Sequence, residues 1–132
     1  MAPVANGEGF SADQRFEIDR AIRAAETVSR YEFSVYVGAA DGEAGPFAQR
    51  LHASLIAPAR SVLIMVDPAA RLLEVVTGSV VRRDLADDAV RLAAVAMESA
   101  FTEGDLVGGI KRGLAQLAEA ARKPQTLHAS PS

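Results

Sequence analysis

Residues 101–117 read F-T-E-G-D-L-V-G-G-I-K-R-G-L-A-Q-L, a helix-period pattern with Gly108, Gly109 and Gly113 inside it. A glycine in a helix interior loses about 1 kcal/mol against alanine, so packing has to compensate for all three. The pattern predicts a flat helix face against which another backbone comes close. Such a face demands tightly layered elements, and it specifies no reaction.

A chain of 132 residues is one domain with room for one core. Its apolar residues make up 49% and its aromatics only 5%, with no Trp, so the core must be built of Leu, Val, Ile and Ala. That composition suits helices laid on a sheet. The net charge of −3 argues against a broad nucleic-acid surface, which would carry a basic stripe. The absence of cysteine removes disulfides, thiolate nucleophiles and Cys-based zinc sites. His52 and His128 are the two imidazoles. No apolar run approaches the roughly 20 residues that span a bilayer, and the start M-A-P-V-A-N-G-E-G lacks the basic and apolar regions of a secretory signal. As written, the chain reads as cytoplasmic. It would be membrane-associated or exported if flanking segments had been removed.

Ser11 and Gln14 have the spacing of a capping box, which predicts a helix from Ala12 to Ser29. Ile18, Ala21, Ile22, Ala25 and Val28 would form its apolar face, with Asp19–Arg23 and Glu26–Arg30 as i,i+4 pairs opposite. Phe33, Val35 and Val37 alternate with polar neighbours as in a strand. Residues 41–45 make a loop. A second helix is predicted with Pro46 at its first position, a face of Phe47, Leu51 and Leu55, and a stop at Pro58. The continuous run S-V-L-I-M-V over 61–66 marks a central strand covered on both faces, parallel to the first through a right-handed crossover. Asp67 and Pro68 form a turn, so R-L-L-E-V-V-T-G returns antiparallel. A helix over 87–101 would bury Val90, Ala94, Met97 and Phe101. Gly104 ends it, Asp105 caps the next helix, and that helix runs to Lys123 before Pro124.

The expected fold is a three-layer α/β/α Rossmann-like sandwich with a small mixed sheet, in the order α-β-α-β-β-α-α. Residues 1–9 are expected to be a flexible N-terminus, 10–123 the domain and 124–132 a disordered tail. Because helices cover the sheet faces, a site belongs at one of the two ends of the sheet. One end gathers the loop 41–45, the Asp67 turn and the turn 102–105. The other gathers Tyr31, residues 58–61 and residues 78–88.

The motifs V-L-I-M-V-D, L-L-E-V-V-T-G, L-A-D-D-A-V and F-T-E-G-D-L-V-G-G-I, taken in that order over 10–121, resemble the TPM domains. That family includes a thylakoid-lumen acid phosphatase, a photosystem repair factor and a receptor-assembly modulator, and the chain looks most like an actinobacterial branch of unknown function. The resemblance implies a Rossmann-like sandwich and, for some members, divalent-metal binding with weak phosphatase activity. The family's Asp-Asn-Gly before the central strand is replaced here by Ala59-Arg60-Ser61, and its acidic pair before the first helix by Asn6-Gly7-Glu8-Gly9. The ligand set is therefore expected to be lost or changed.

Arg60, Arg82 and Arg83, with Gly78, could bind an anion such as phosphate or carboxylate. Asp84, Asp87 and Asp88 could hold calcium or magnesium, although acids in a helix's first turn also serve its dipole. Asp41, Glu43 and Asp67 could converge on a metal, but each is also a good turn residue. His52 and Ser61 have no triad context, and no G-x-G-x-x-G follows a strand. Two function classes stay open. The favoured one is a non-catalytic binding or accessory domain that recognises a protein partner or a small anion. The other is a divalent-metal-dependent acid phosphatase with a remodelled site.

Overall fold

A computed structural model describes the backbone of Val4–Ala5 and residues 10–122. The elements are β1 (Val4–Ala5), α1 (Ala12–Ser29), β2 (Glu32–Val37), α2 (Ala44–Ala53), β3 (Ser61–Asp67), β4 (Leu72–Thr77), α3 (Asp87–Thr102) and α4 (Leu106–Ala121), with 3-10 turns at Pro58–Arg60 and Val81–Arg83. The chain is a mixed α/β protein. The expected order lacked β1, a pair of residues that lies parallel beside Val35 and Tyr36 of β2. Two residues carry no readable alternation. The expectations for the rest of 1–9 and for 123–132 lie outside the described residues.

β2 and β3 pair in parallel through α2, and β3 and β4 pair antiparallel, giving the strand order β1-β2-β3-β4. Every residue of β3 is buried, as its unbroken apolar run requires. Val62, Ile64 and Val66 join Phe33, Val35 and Val37 of β2 in a cluster with Ile18 and Ile22 of α1, Met97 of α3 and Ile110, Leu114 and Leu117 of α4. Leu63 and Met65 face the opposite way, onto Ala44 and Ala48 of α2 and Val76 of β4. The period-2 geometry of the strand thus assigns α2 to one face of the sheet and the other three helices to the opposite face.

Local chemistry accounts for most boundaries. The Ser11 hydroxyl accepts from the Gln14 amide at 3.1 Å, and the Gln14 side chain accepts from the Ser11 amide at 2.9 Å, so α1 begins at its capping box. Asp105 accepts from the Gly108 amide at 2.9 Å and caps α4. Gly104, at φ 84°, supplies the left-handed residue that ends α3.

Three local expectations are corrected. First, α2 starts at Ala44, with Pro46 at its third residue, because the amides of the first turn have no intrahelical partner and proline costs nothing there. It ends at Ala53, well before Pro58, where the Ser54 hydroxyl donates to the Leu51 carbonyl at 2.7 Å. Second, the i,i+4 pairs expected on α1 are not among its contacts. Glu26 instead accepts from the Phe33 amide at 3.1 Å, and Arg30 takes a left-handed φ of 68° as C-cap. Third, α3 buries Ala93, Met97 and Ala100, whereas Val90, Ala94 and Phe101 are half-buried.

The glycines of α4 do produce a flat face, but what lies on it is side chain. A Cβ at Gly109 would strike Phe101 and Ala100, and one at Gly113 would strike Met97. The expectation of an approaching backbone fails here because α3 crosses with its long residues directed into the space the glycines leave. The close backbone approach is at Gly78, where a Cβ would collide with the carbonyls of Pro58 and Ala59.

Candidate functional site

The structure brings together the end of the sheet that holds most of the sequence-derived candidates. Gly78 donates to the Ser61 carbonyl at 2.9 Å and Val80 to the Ala59 carbonyl at 2.9 Å, which joins the segment after β4 to the 3-10 turn before β3. The Tyr31 hydroxyl donates a short hydrogen bond to Asp84 Oδ2. The Arg60 guanidinium lies 4.9 Å from the centre of the Tyr31 ring. The bond to Asp84, burial, and the negative charge of Asp84 together push the Tyr31 phenol above the usual tyrosine range, against the pull of Arg60 and Arg83.

These side chains do not converge on one ligand. Arg60 donates to the Arg30 carbonyl at 3.0 Å and lines a hollow with Glu26, Arg30, Tyr31 and Glu32. Arg82 donates to the Thr77 carbonyl and lines a different cleft. Arg83 acts on Tyr31 through its charge. Two of the three guanidinium groups are thus engaged by backbone carbonyls, so the arginines do not form one anion basket.

The acidic residues separate in the same way. Asp84 is held by Tyr31, Asp88 pairs with Arg91 on the exposed face of α3, and Asp87 faces the cleft that contains Arg82. At the other end, Asp67 accepts from the amides of Ala40, at 3.1 Å, and Ala70, at 3.2 Å, as a turn residue does. Among the described residues no three His, Cys, Asp or Glu side chains are placed to hold a metal ion. A hard cation wants several converging oxygen ligands. The trio of Asp84, Asp87 and Asp88 therefore does not fit calcium or magnesium as it stands, and neither does the trio of Asp41, Glu43 and Asp67.

Two clefts flank β4. The first, of about 490 Å³, is lined by Gln49, His52, Val75, Thr77, Gly78, Arg82 and Asp87 among others. The second, of about 480 Å³, lies under the turn between β3 and β4 and is lined by Asp67, Arg71, Leu72, Leu73, Glu98 and Phe101 among others. His52, which by its spacing has no triad context, is 8% exposed and its Nε2 lies 2.9 Å from the Ser61 carbonyl. The signal was present in the spacing of Ala44, Ala48 and His52, the three buried residues of α2. The bulkier Phe47, Leu51 and Leu55 are only partly buried against the same cluster, on a neighbouring face.

Among the described residues, an open strand edge runs between the two clefts. The bond from Gly78 to Ser61 and the register from Val62↔Thr77 to Asp67↔Leu72 make 72, 74 and 76 the residues that bond to β3. In an antiparallel ladder the intervening residues direct their amides and carbonyls away from the partner strand. Leu73, Val75 and Thr77 therefore present their backbone groups outward. The Thr77 carbonyl is the one taken by Arg82.

The chain is 31% identical to uncharacterized proteins from two strains of Mycobacterium tuberculosis over 93 residues, covering 70% of this chain and 56% of theirs. It thus spans little more than half the length of the curated relatives it matches. Its fold is similar to the NMR structure of the BA42 protein from Bizionia argentinensis, with a TM-score of 0.78 at 20% identity over 89% of this chain and 84% of that one. It is also similar to the N-terminal domain of the cg2496 protein from Corynebacterium glutamicum, with a TM-score of 0.73 at 15% identity over 89% and 78% of the two chains. At those identities the likeness is one of fold. The resemblance to TPM domains is overturned, because the family model that matches is a different one. The motifs that carried it are a buried strand, a hairpin return, a helix start and a glycine-bearing helix, all dictated by packing and therefore markers of architecture more than of descent. With residues 3–118 matched by its model, the chain belongs to the family described as Domain of unknown function (DUF5130).

Proposed function

We propose that this domain is a non-catalytic protein-binding module whose partner adds an extended segment to the free edge of β4. The observation that carries the reading is the row of outward backbone groups at Leu73, Val75 and Thr77, bounded by a cleft at each end. Main-chain pairing would supply affinity, and pockets beside the strand would select side chains. The cleft at Leu73 and Phe101 suits an apolar side chain. We further infer a three-layer Rossmann-like sandwich, supported by α2 on one face and α1, α3 and α4 on the other; that layering leaves the edge as the accessible part of the sheet.

The test is selection of binders from a random extended-peptide library, followed by amide-shift mapping. Binders are expected to move the amides of Leu73, Val75 and Thr77 and to be lost in Val75→Pro. Proline there removes an outward donor and spares the ladder to β3. Binders that map to the Arg60 hollow, or that survive Val75→Pro, refute the reading.

A further inference from the structure

α3 carries apolar residues that the fold does not use. Leu92 is 64% exposed and Val95 is 61% exposed, on a helix whose buried residues are Ala93, Met97 and Ala100. Asp88, Arg91, Glu98, Ser99 and Thr102 are exposed as well. At 3.6 residues per turn, Val95 falls on the midline of this outer face, with Arg91 and Glu98 about 40–60° to one side and Leu92 and Ser99 about 40–60° to the other. Along the axis, Arg91 lies about 6 Å before Val95 and Glu98 about 4.5 Å after it.

We propose that this face is the contact between two copies of the chain, packed with their α3 helices antiparallel about a two-fold axis at Val95. Such an axis reverses direction along the helix and keeps each flank on its own side. Arg91 then meets Glu98 of the second copy, and Glu98 meets its Arg91. Leu92 meets Ser99, Val95 meets Val95, and Asp88 meets Thr102. No like charges are opposed. A face that matches itself under a two-fold is the signature of an isologous contact, and here the match is in charge as well as in apolar content. The pair of Arg91 with Asp88 in the single chain is exposed and of little value, so Arg91 is available to turn to Glu98. One helix face per copy is a small contact, at the weak end of association. The dimer therefore forms at high protein concentration. Its contact reaches the rim of the cleft beside Leu73 through Glu98 and Thr102 but does not use the outward backbone groups of β4.

Sedimentation velocity over about 10 µM to 1 mM, the upper range being where small interfaces associate, tests the arrangement. The wild type is expected to shift reversibly towards dimer. Arg91→Glu and Glu98→Arg, each folded by circular dichroism, are each expected to weaken association about 10-fold or more through repulsion between like charges. The double variant Arg91→Glu/Glu98→Arg restores the cross-pairs and is expected to recover wild-type association, whereas Val95→Asp abolishes it. A wild type that stays monomeric at the highest concentration overturns the proposal. So does a double variant no better than the singles. Loss of association in Val75→Pro also overturns it, because the contact would then run through the strand edge.

Discussion

Replacing Gly78 with alanine is expected to destabilise the domain by about 3–5 kcal/mol, although the backbone there is not left-handed. The added Cβ would fall within the atomic radii of the Pro58 and Ala59 carbonyls, and backbone cannot rotate away as a side chain can. Relieving the overlap means separating the segment after β4 from the 3-10 turn, which breaks the bonds from Gly78 to Ser61 and from Val80 to Ala59, both 2.9 Å long. Each contributes about 1 kcal/mol net, and the residual overpacking adds about 1–3 kcal/mol. Against a total stability of roughly 5–15 kcal/mol for a domain, that is a large share. Urea unfolding reads it directly: with a slope of about 1–3 kcal/mol per molar, the midpoint should fall by about 2 M at unchanged slope. Gly45→Ala is the control, since nothing lies within 4 Å of its added Cβ and it sits inside α2. There the gain in helix propensity should be neutral to stabilising by up to about 1 kcal/mol. A loss of under about 1 kcal/mol in Gly78→Ala, below the strain expected of a backbone overlap, would refute the reasoning. So would an equal loss in the control.

Tyr31 should titrate above the usual tyrosine range in an absorbance titration at alkaline pH, and Asp84→Asn should bring it down. Because its pKa is raised in the folded state, the stability it contributes is present below the unfolded tyrosine value of about 10 and lost as pH rises through the folded one. The wild type should accordingly lose stability above about pH 10 that Tyr31→Phe/Asp84→Asn, with no phenol there to ionise, does not lose; an unmoved tyrosine titration in Asp84→Asn counts against the bond. Gly113→Ala should cost about 1–2 kcal/mol, the strain against Met97 exceeding the propensity gain. Combined with Met97→Ala, the two changes should be non-additive in a thermal-melt cycle, as expected of residues in contact. Titration with calcium or magnesium should leave the amide shifts of residues 84–88 free of any saturable change, since their carboxylates do not converge. A saturable shift confined to those residues would reinstate a cation site.

Wherever one segment decides its own structure, the sequence was legible. The capping box of α1, the Asp105 cap, the ending glycine at 104 and the buried run of β3 are local signals, and each element stands where they place it. The antiparallel return into β4 was readable from Asp67 and Pro68; that Asp67 closes the turn by accepting from the Ala70 amide came from the fold. What depended on distances between segments was hidden. Gly78 reads as a candidate anion contact until Pro58 and Ala59 are beside it, and the glycines of α4 do not say whether a backbone or a methionine will fill their place. The candidate site suffered most. The expected topology gathers Arg60, Arg82 and Arg83 at one end of the sheet, yet carbonyls of Arg30 and Thr77 claim two of them. Hydrogen-bond accounting of that kind needs the fold. The outward row of β4 needed the register, which the position of Gly78 opposite Ser61 sets.

One carboxylate keeps that open edge safe. β4 spells L-L-E-V-V-T, and Glu74 is the sole charge between Arg71 and Arg82. Without it the strand would be a short, uncharged, β-branched segment of the kind that stacks into cross-β fibrils. The six residues that leave an edge in the folded domain would, in an unfolded chain, form a segment open to cross-β stacking, and Glu74 is the side chain that opposes it.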